Sequence, residues 1–331
     1  MMARINFKMF TVIVMCTTLL SLNGFSKDDQ PTITKTFDLN VPGTLKASSS
    51  GGGVQVKTHD QPKVVIQAFV RKNGKVLDPD DKMLGEVLED FDIDFSKSGS
   101  VITANVQRKS RMRFWNNVGI SLTVIVPRQM SCDVSSSGGG LKIYGVEGTH
   151  DFSSSGGGVT LENVTGTTEA RSSGGGVSAT NQNGNISLSS SGGGVTVEDA
   201  HGNVYAHSSG GGVHLNNIYG DAEASSSGGG VTVTGEAGSV KASSSGGSVK
   251  VDISNLKKEL YLESSGGGID AVIHNGKNLG LDLDLRSDRV NIELQNFSGK
   301  SEKNRVKGTM NNGGIPVYMH SSGGNVNVHF E

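Results

Sequence analysis

One cluster of serines and glycines returns through this chain at a fixed spacing. Its first glycine falls at Gly138, Gly156, Gly174, Gly192, Gly210, Gly228 and Gly246, which is an unbroken 18-residue period. The next cluster, at Gly266, comes two positions late, and isolated clusters sit at Gly51 and Gly323. A flexible Gly/Ser linker has no reason to hold such a register. A fixed period of this size is the mark of stacked structural repeats. The 48 glycines among 331 residues are therefore punctuation between short structured segments. Collagen needs glycine at every third position and abundant proline, and this chain has only 6 prolines.

Numbered from the first serine position, the unit beginning at Ser189 reads SSSGGGVTVEDAHGNVYA. Positions 7 and 9 are apolar (Val159 and Leu161, Val195 and Val197, Val213 and Leu215), and position 8 between them is mostly polar. Alternation with period two predicts a short strand with one buried face. Positions 16 and 18 make a second, weaker alternation, as in Ile186 and Leu188. Carried two positions further, it turns the middle serine (Ser154, Ser190, Ser226) inward as a small core residue. Position 14 is Gly in six successive units, from Gly148 to Gly238. Position 11 holds only Gly, Asn or Asp: Gly145, Asn163, Asn181, Asp199, Asn217 and Gly235. Those residues best tolerate a left-handed backbone, so a stacked turn with positive φ is expected there.

These patterns predict an all-β fold, a single-stranded β-solenoid resembling a parallel β-helix, with 18-residue coils and irregular capping ends. The expected division is a signal peptide over 1–26, N-terminal strands, a short helix and cap over 27–134, the regular array over 135–268, and C-terminal coils and cap over 269–331. Residues 27–331 are expected to form one continuous domain. In the N-terminal part, strands are expected at 32–41, 48–56, 64–70, 91–95, 101–106 and 120–126, with a turn at Asn73-Gly74. A helix opened by Pro79 is expected to carry Leu84, Val87, Leu88 and Phe91 on one side.

Arg4 and Lys8 precede an apolar run from Met9 to Leu22, and Gly24-Phe25-Ser26 places small residues at a cleavage site. That is the pattern of an export signal, with cleavage after Ser26. The run is shorter than the ~20 residues of a membrane span, so no transmembrane segment is expected in the mature chain. Met15 is too bulky to precede a lipidated Cys16. Cleavage leaves Cys132 alone, without an internal disulfide, and it reads as a small buried strand residue.

Charge is segregated near the start. Residues 78–94 carry eight acids and one lysine, whereas residues 95–132 carry six basic residues and no acid. Within the basic stretch lies RKSRMRFWNN, with the only tryptophan. Arg111, Arg113, Phe114 and Trp115 are the candidate surface contact. The plainer reading makes this a hairpin tip that covers the end of the stack, with its arginines facing the acidic segment.

Catalytic chemistry has little to stand on. Residues one repeat apart are expected to be neighbours, and the next-repeat neighbours of His150, His201, His207 and His214 are Thr168, Tyr219, Ser225 and Thr232. No His stacks on another, so no metal is expected. The calcium β-roll motif needs an Asp that these turns lack, and position 8 is too mixed for an ice-binding threonine face. Glu162 and Glu198 share a column but are two coils apart, with Thr180 between them, which is the only hint of a polysaccharide-active enzyme. No GxSxG occurs. No catalytic residues and no cofactor are therefore expected. The formal net charge of −2 lacks the basic footprint of a nucleic-acid binder.

The segments FDLNVPGTLKASSSGGGVQV and LTVIVPRQMSCDVSSSGGGLKI, the repeated SSGGGV units and the final SSGGNVNVHF carry a family likeness. From Phe37 to Glu331 the chain resembles the bacterial adhesin-like families of exported β-strand-repeat proteins, including the autotransporter adhesin head domain group. The resemblance implies a repetitive exported scaffold, non-enzymatic, located in the periplasm, at the cell surface or outside the cell. Its expected partner is an envelope or extracellular protein or glycan. The alternative is a periplasmic partner-binding module acting through its end loops.

Overall fold

The computed structural model describes residues 30–40, 42–109 and 117–331. Among them, 29 strands join one sheet that wraps nearly closed around a buried core. Helix among the described residues is confined to Leu84–Leu88 and one 3-10 turn at Gly276–Asn278.

The repeats pair in parallel, positions lying beside their equivalents in the next repeat except after Leu215, where the register slips by one and Ile218 lies beside Gly235. Val159 lies beside Leu141 and Val177, and Val177 beside Val195. Val213, Val231 and Val249 continue the column. A second column runs from Val134 through Phe152, Ala170, Leu188, Ala206 and Ala224 to Ala242. All these side chains are buried, as the alternation predicts.

Position 11 turns the chain as expected. Gly145, Asn163, Asn181, Asp199, Asn217 and Gly235 all have positive φ, between 53° and 135°. This corner also resets the alternation, so position 12 points inward directly after it. Val146, Val164, Ala200 and Ile218 there are fully buried. They form an inner column that the two-strand sequence reading omits, because Gln182 interrupts its apolar run.

The middle serines are buried but do more than fill space. Ser190 Oγ donates to the Gly175 carbonyl at 2.8 Å and accepts from the Gly193 N–H at 3.0 Å. Ser172, Ser208, Ser226 and Ser244 repeat the arrangement. Each serine ties its own glycine turn to the turn one layer back, which satisfies backbone groups the turn would otherwise strand. The triplet glycines are needed for space. A Cβ on Gly157 would lie 2.4 Å from the Gly140 nitrogen.

Both ends stack out of sequence order. Strand Gly43–Ser49 lies in parallel between Val101–Arg108 and Met130–Ser136. Strand Val54–His59 lies between Val118–Pro127 and Leu141–Tyr144. At the other end, Ile315–Ser321 lies between Glu259–Ser264 and Leu281–Arg286. Gly43–Ser49 and Ile315–Ser321 are thus clamped inside the stack beside chain from nearer the middle, whereas the first strand, Ile33–Asp38, is itself an edge, paired among the described residues only with Lys63–Lys72. Antiparallel chain covers the flanking layers: Phe91–Ser98 on Val101–Arg108, and the hairpin of Phe297–Glu302 with Arg305–Met310 on Leu281–Arg286.

Most expected end strands are present with slightly shifted boundaries, and Lys72 pairs with Lys75 around the Asn73-Gly74 turn, where both φ angles are positive. The helix is shorter than expected. It begins at Leu84, well after Pro79, and Phe91 opens a strand instead of extending the helical face. Pairing of Phe91 with Arg108 outweighs the local helical pattern there.

Candidate binding face

The side chains that alternate with the second buried column point outward and form their own ladder. In register order it reads Asp133, Asp151, Glu169, Ser187, Tyr205, Glu223, Lys241, Tyr261 and Tyr318. Beside it run Asn185, Asn203 and Asp221, each one layer apart. The Asn203 N–H donates to Asn185 Oδ1 at 3.1 Å, and the Asp221 N–H to Asn203 Oδ1 at 3.2 Å. Between these ladders lies a groove of about 640 Å³, running across the strands from Glu169 to Glu259.

The groove holds Glu169, Asp221, Glu223, Glu259 and a single ammonium, Lys241. Lys241 pairs with Glu259 at 2.9 Å. That hydrogen bond, with the Glu259 and Glu223 charges, holds the ammonium above its usual range. Asp221 is bound by Lys258 at 2.5 Å, and Glu169 by Arg171, which also lies 3.6 Å from Asp151. Glu223 has no hydrogen bond or close ion pair to a described residue. Tyr205 is 43% exposed. Farther along, Tyr261 and Tyr318 stack with ring centroids 4.7 Å apart. A hydrogen bond to Glu263, reinforced by partial burial, pushes the Tyr261 phenol up to about 12.

Arg111, Arg113, Phe114 and Trp115 lie outside the described residues. Their flank does meet the acidic segment, since Lys109 pairs with Asp92 at 3.3 Å and donates to the Glu89 carbonyl at 2.9 Å. Near that flank a second cleft, of about 510 Å³, gathers Gln55, Phe69, Arg71, Thr123 and Lys142.

Glu162 and Glu198 are separated by Thr180 in the register, as the period requires. Among the described residues no group of three His, Cys, Asp or Glu is placed to hold a metal. His150, His201, His207 and His214 have the next-repeat neighbours expected of them. His201 stacks on Tyr219 with centroids 4.5 Å apart. On its other side, His150 is registered with Cys132, a neighbour found only by counting one repeat backward. Cys132 is a core residue whose thiol is pushed up to about 12 by burial. His150 Nδ1, Thr168 Oγ1 and Gln182 Oε1 are buried without a hydrogen-bond partner among the described residues.

The outward ladder itself is readable from sequence as position 17 of each unit. The groove beside it is not, because it forms only where this ladder and the Asn185–Asn203–Asp221 ladder lie side by side in the stacked layers.

No protein-family model matches the chain, and no curated protein matches it. Three solved structures are loosely similar. A candidate cell adhesion protein from Clostridium sporogenes is 10% identical, covering 91% of this chain and all of its own, with a TM-score of 0.22. A candidate adhesin from Parabacteroides merdae is 10% identical, covering 89% of this chain and 95% of its own, with a TM-score of 0.37. A candidate lipid binding protein from Parabacteroides distasonis is 14% identical, covering 89% and 96%, with a TM-score of 0.34. Likenesses at this level fix neither fold nor ligand for this chain.

Proposed function

We propose that this chain is an exported, non-enzymatic β-solenoid of 18-residue coils that holds a repetitive polar surface toward a partner in the envelope or outside the cell, as an adhesin or an envelope scaffold. The solenoid reading is supported by the repeated 18-residue register advance from Leu141 to Val249. Residues 1–26 act as the signal peptide, 135–268 as the regular array, and 27–134 and 269–331 as its two caps within one continuous domain. Export rests on the basic and apolar pattern of residues 4–22. No helix among the described residues is long and apolar enough to cross a membrane.

The observation that carries the functional reading is the outward ladder from Asp133 to Tyr318 with its groove. A rigid stack repeats side-chain positions at about 4.8 Å, which suits a surface that binds along its length. The groove carboxylates Glu169, Asp221 and Glu259 are each tied to a basic side chain, which fixes their positions along the groove. Cell fractionation with protease added to intact cells tests the reading. Cleavage on intact cells is expected for a surface adhesin. Protection until the outer boundary is breached assigns the scaffold to the periplasm, and retention in the cytoplasm overturns the proposal.

The second cleft favours a further binding end. Arg71 and Lys142 lie in it, and Lys109 and Asn117 border the segment bearing Arg111, Arg113, Phe114 and Trp115. Reversing charge with Arg111→Glu and Arg113→Glu is expected to abolish partner capture through this end and leave the melting temperature unchanged. Unchanged capture removes the end from consideration.

A further inference from the structure

We infer that the lateral groove binds a linear, uncharged oligosaccharide lying along the stacking direction, with one sugar ring seated on Tyr205. The inference rests on the binding-surface reading above and names its ligand class.

Geometry selects the shape of the ligand. From Glu169 to Lys241 the groove crosses four strand spacings, or about 19 Å. That is long enough for several sugar rings in a row. Ser187 is the small member of the ladder, so a ring can sink beside the Tyr205 face. An exposed tyrosine offers a broad, rigid apolar surface at little entropic cost. A peptide fits less well. Its main chain gains most by adding to a sheet edge, and this groove runs over the face of the sheet, where backbone groups are already paired.

Chemistry selects the class. Sugar hydroxyls both donate and accept. Glu223 supplies an uncommitted carboxylate acceptor next to Tyr205. Asn185 and Asn203 spend their Oδ1 atoms on backbone N–H groups, which leaves their amide NH2 groups as donors. Lys241, Arg171 and Lys258 pair with Glu259, Glu169 and Asp221, which leaves Glu223 as unbalanced negative charge beside Tyr205 and, among the described residues of the groove, no free cation to attract a polyanion. The groove therefore suits neutral sugars and rejects uronic acid or sulfated chains.

Calorimetric titration of the whole chain with cellohexaose, laminarihexaose and hexagalacturonate tests the assignment. Binding of at least one neutral hexamer, and none of hexagalacturonate, is expected. Tyr205→Ala is expected to weaken that binding about tenfold, and Glu223→Gln by a similar factor. Tyr219→Ala, equally exposed but outside the groove, is expected to leave it unchanged. Melting curves of both groove variants are expected to match the parent, since both side chains are exposed. Failure of both neutral hexamers to bind overturns the inference. So does equal affinity in Tyr205→Ala, tighter binding of hexagalacturonate, or preference for a lysine-rich peptide over the sugars. A chain that is cleaved on intact cells yet ignores these sugars breaks the ligand assignment and leaves the surface reading standing.

Discussion

The array and the ends of this molecule solve the same problem in different ways. In the array the Val column advances by 18 residues per layer from Leu141 to Val249, so a buried apolar residue, a serine tie and a left-handed corner recur from layer to layer. At the ends the partners are distant in sequence. Gly43–Ser49 pairs with Met130–Ser136, and Ile315–Ser321 sits inside Leu281–Arg286. An open stack of strands has exposed edges at each end. Placing Gly43–Ser49 and Ile315–Ser321 one layer in, beside chain from nearer the middle, keeps them from fraying. The difference teaches that regular repetition sets the stack while irregular, long-range insertion closes it.

Amide exchange sharpens that comparison most. Val317 and Met319, close to the end of the sequence, are buried and flanked by a strand on each side. They are expected to exchange as slowly as Val195 in the array. Ser298 and Lys300 lie farther from the end of the sequence, but their strand is exposed and is paired only with Arg305–Met310. They are expected to exchange faster by several orders of magnitude. Similar rates at the two places would break the clamped-end account.

The same substitution should act oppositely in the two regions. Alanine at Gly157 brings a Cβ to 2.4 Å from a backbone nitrogen of the neighbouring layer. A loss of about 3 kcal/mol is expected in denaturant titration, since neither turn has room to yield. Alanine at Gly85 meets nothing within 4 Å and lies in the short helix. It is expected to be neutral or to stabilise by up to about 1 kcal/mol. A smaller effect follows in the serine column. Ser190→Ala strands the Gly175 carbonyl and the Gly193 N–H, with an expected cost of about 1–3 kcal/mol in the same titration.

Acid separates the regions again. Burial holds the His150 imidazole below its ordinary value near 6.5 in the folded chain, against the opposing pull of its hydrogen bond to the Thr165 carbonyl. The unfolded chain then takes up the proton first, so stability is full above pH ~6.5 and falls as pH drops through that value toward the depressed one. At the C-terminal end, the hydrogen bond from Arg286 holds Asp284 below its usual 3.8. Its contribution is present above that value and is lost only at lower pH. Melting temperatures from pH 7 to 5 are expected to fall, and His150→Phe to flatten that fall. Asp284→Asn is expected to leave this interval unchanged.

Much of the array is legible in sequence because its signals repeat. Val195 and Val197 alternate around Thr196, and the Gly/Asn/Asp column reports its backbone angle without any tertiary information. The position 12 column is apolar too, but Gln182 breaks it and the reset at the corner hides it from a simple alternating pattern. The end order is invisible for a stronger reason. Nothing local in Gly43–Ser49 says that its neighbours start at Val101 and Met130. Phe91 shows the same limit, since its helical spacing yields to a partner across a hairpin. The lateral groove depends on two outward ladders lying side by side, a relation that appears only once the layers are stacked.

The smallest effect tests what the corner column selects for. Asn217 has φ of 54°, and its side-chain amide donates to Asp199 Oδ1 at 3.0 Å on the exposed surface. If the ladder hydrogen bond were the reason for asparagine, glycine would cost as much as any residue lacking the amide. If the left-handed backbone is the reason, glycine satisfies it without the hydrogen bond. Gly145 holds the same position in another layer with positive φ, which favours the backbone. Asn217→Gly is therefore expected to change stability by no more than about 0.5 kcal/mol, the bond being exposed to water. Asn217→Val places a branched side chain in that conformation and is expected to cost about 1–3 kcal/mol. Equal losses for the two variants, measured by denaturant titration, would transfer the role from the backbone angle to the amide ladder.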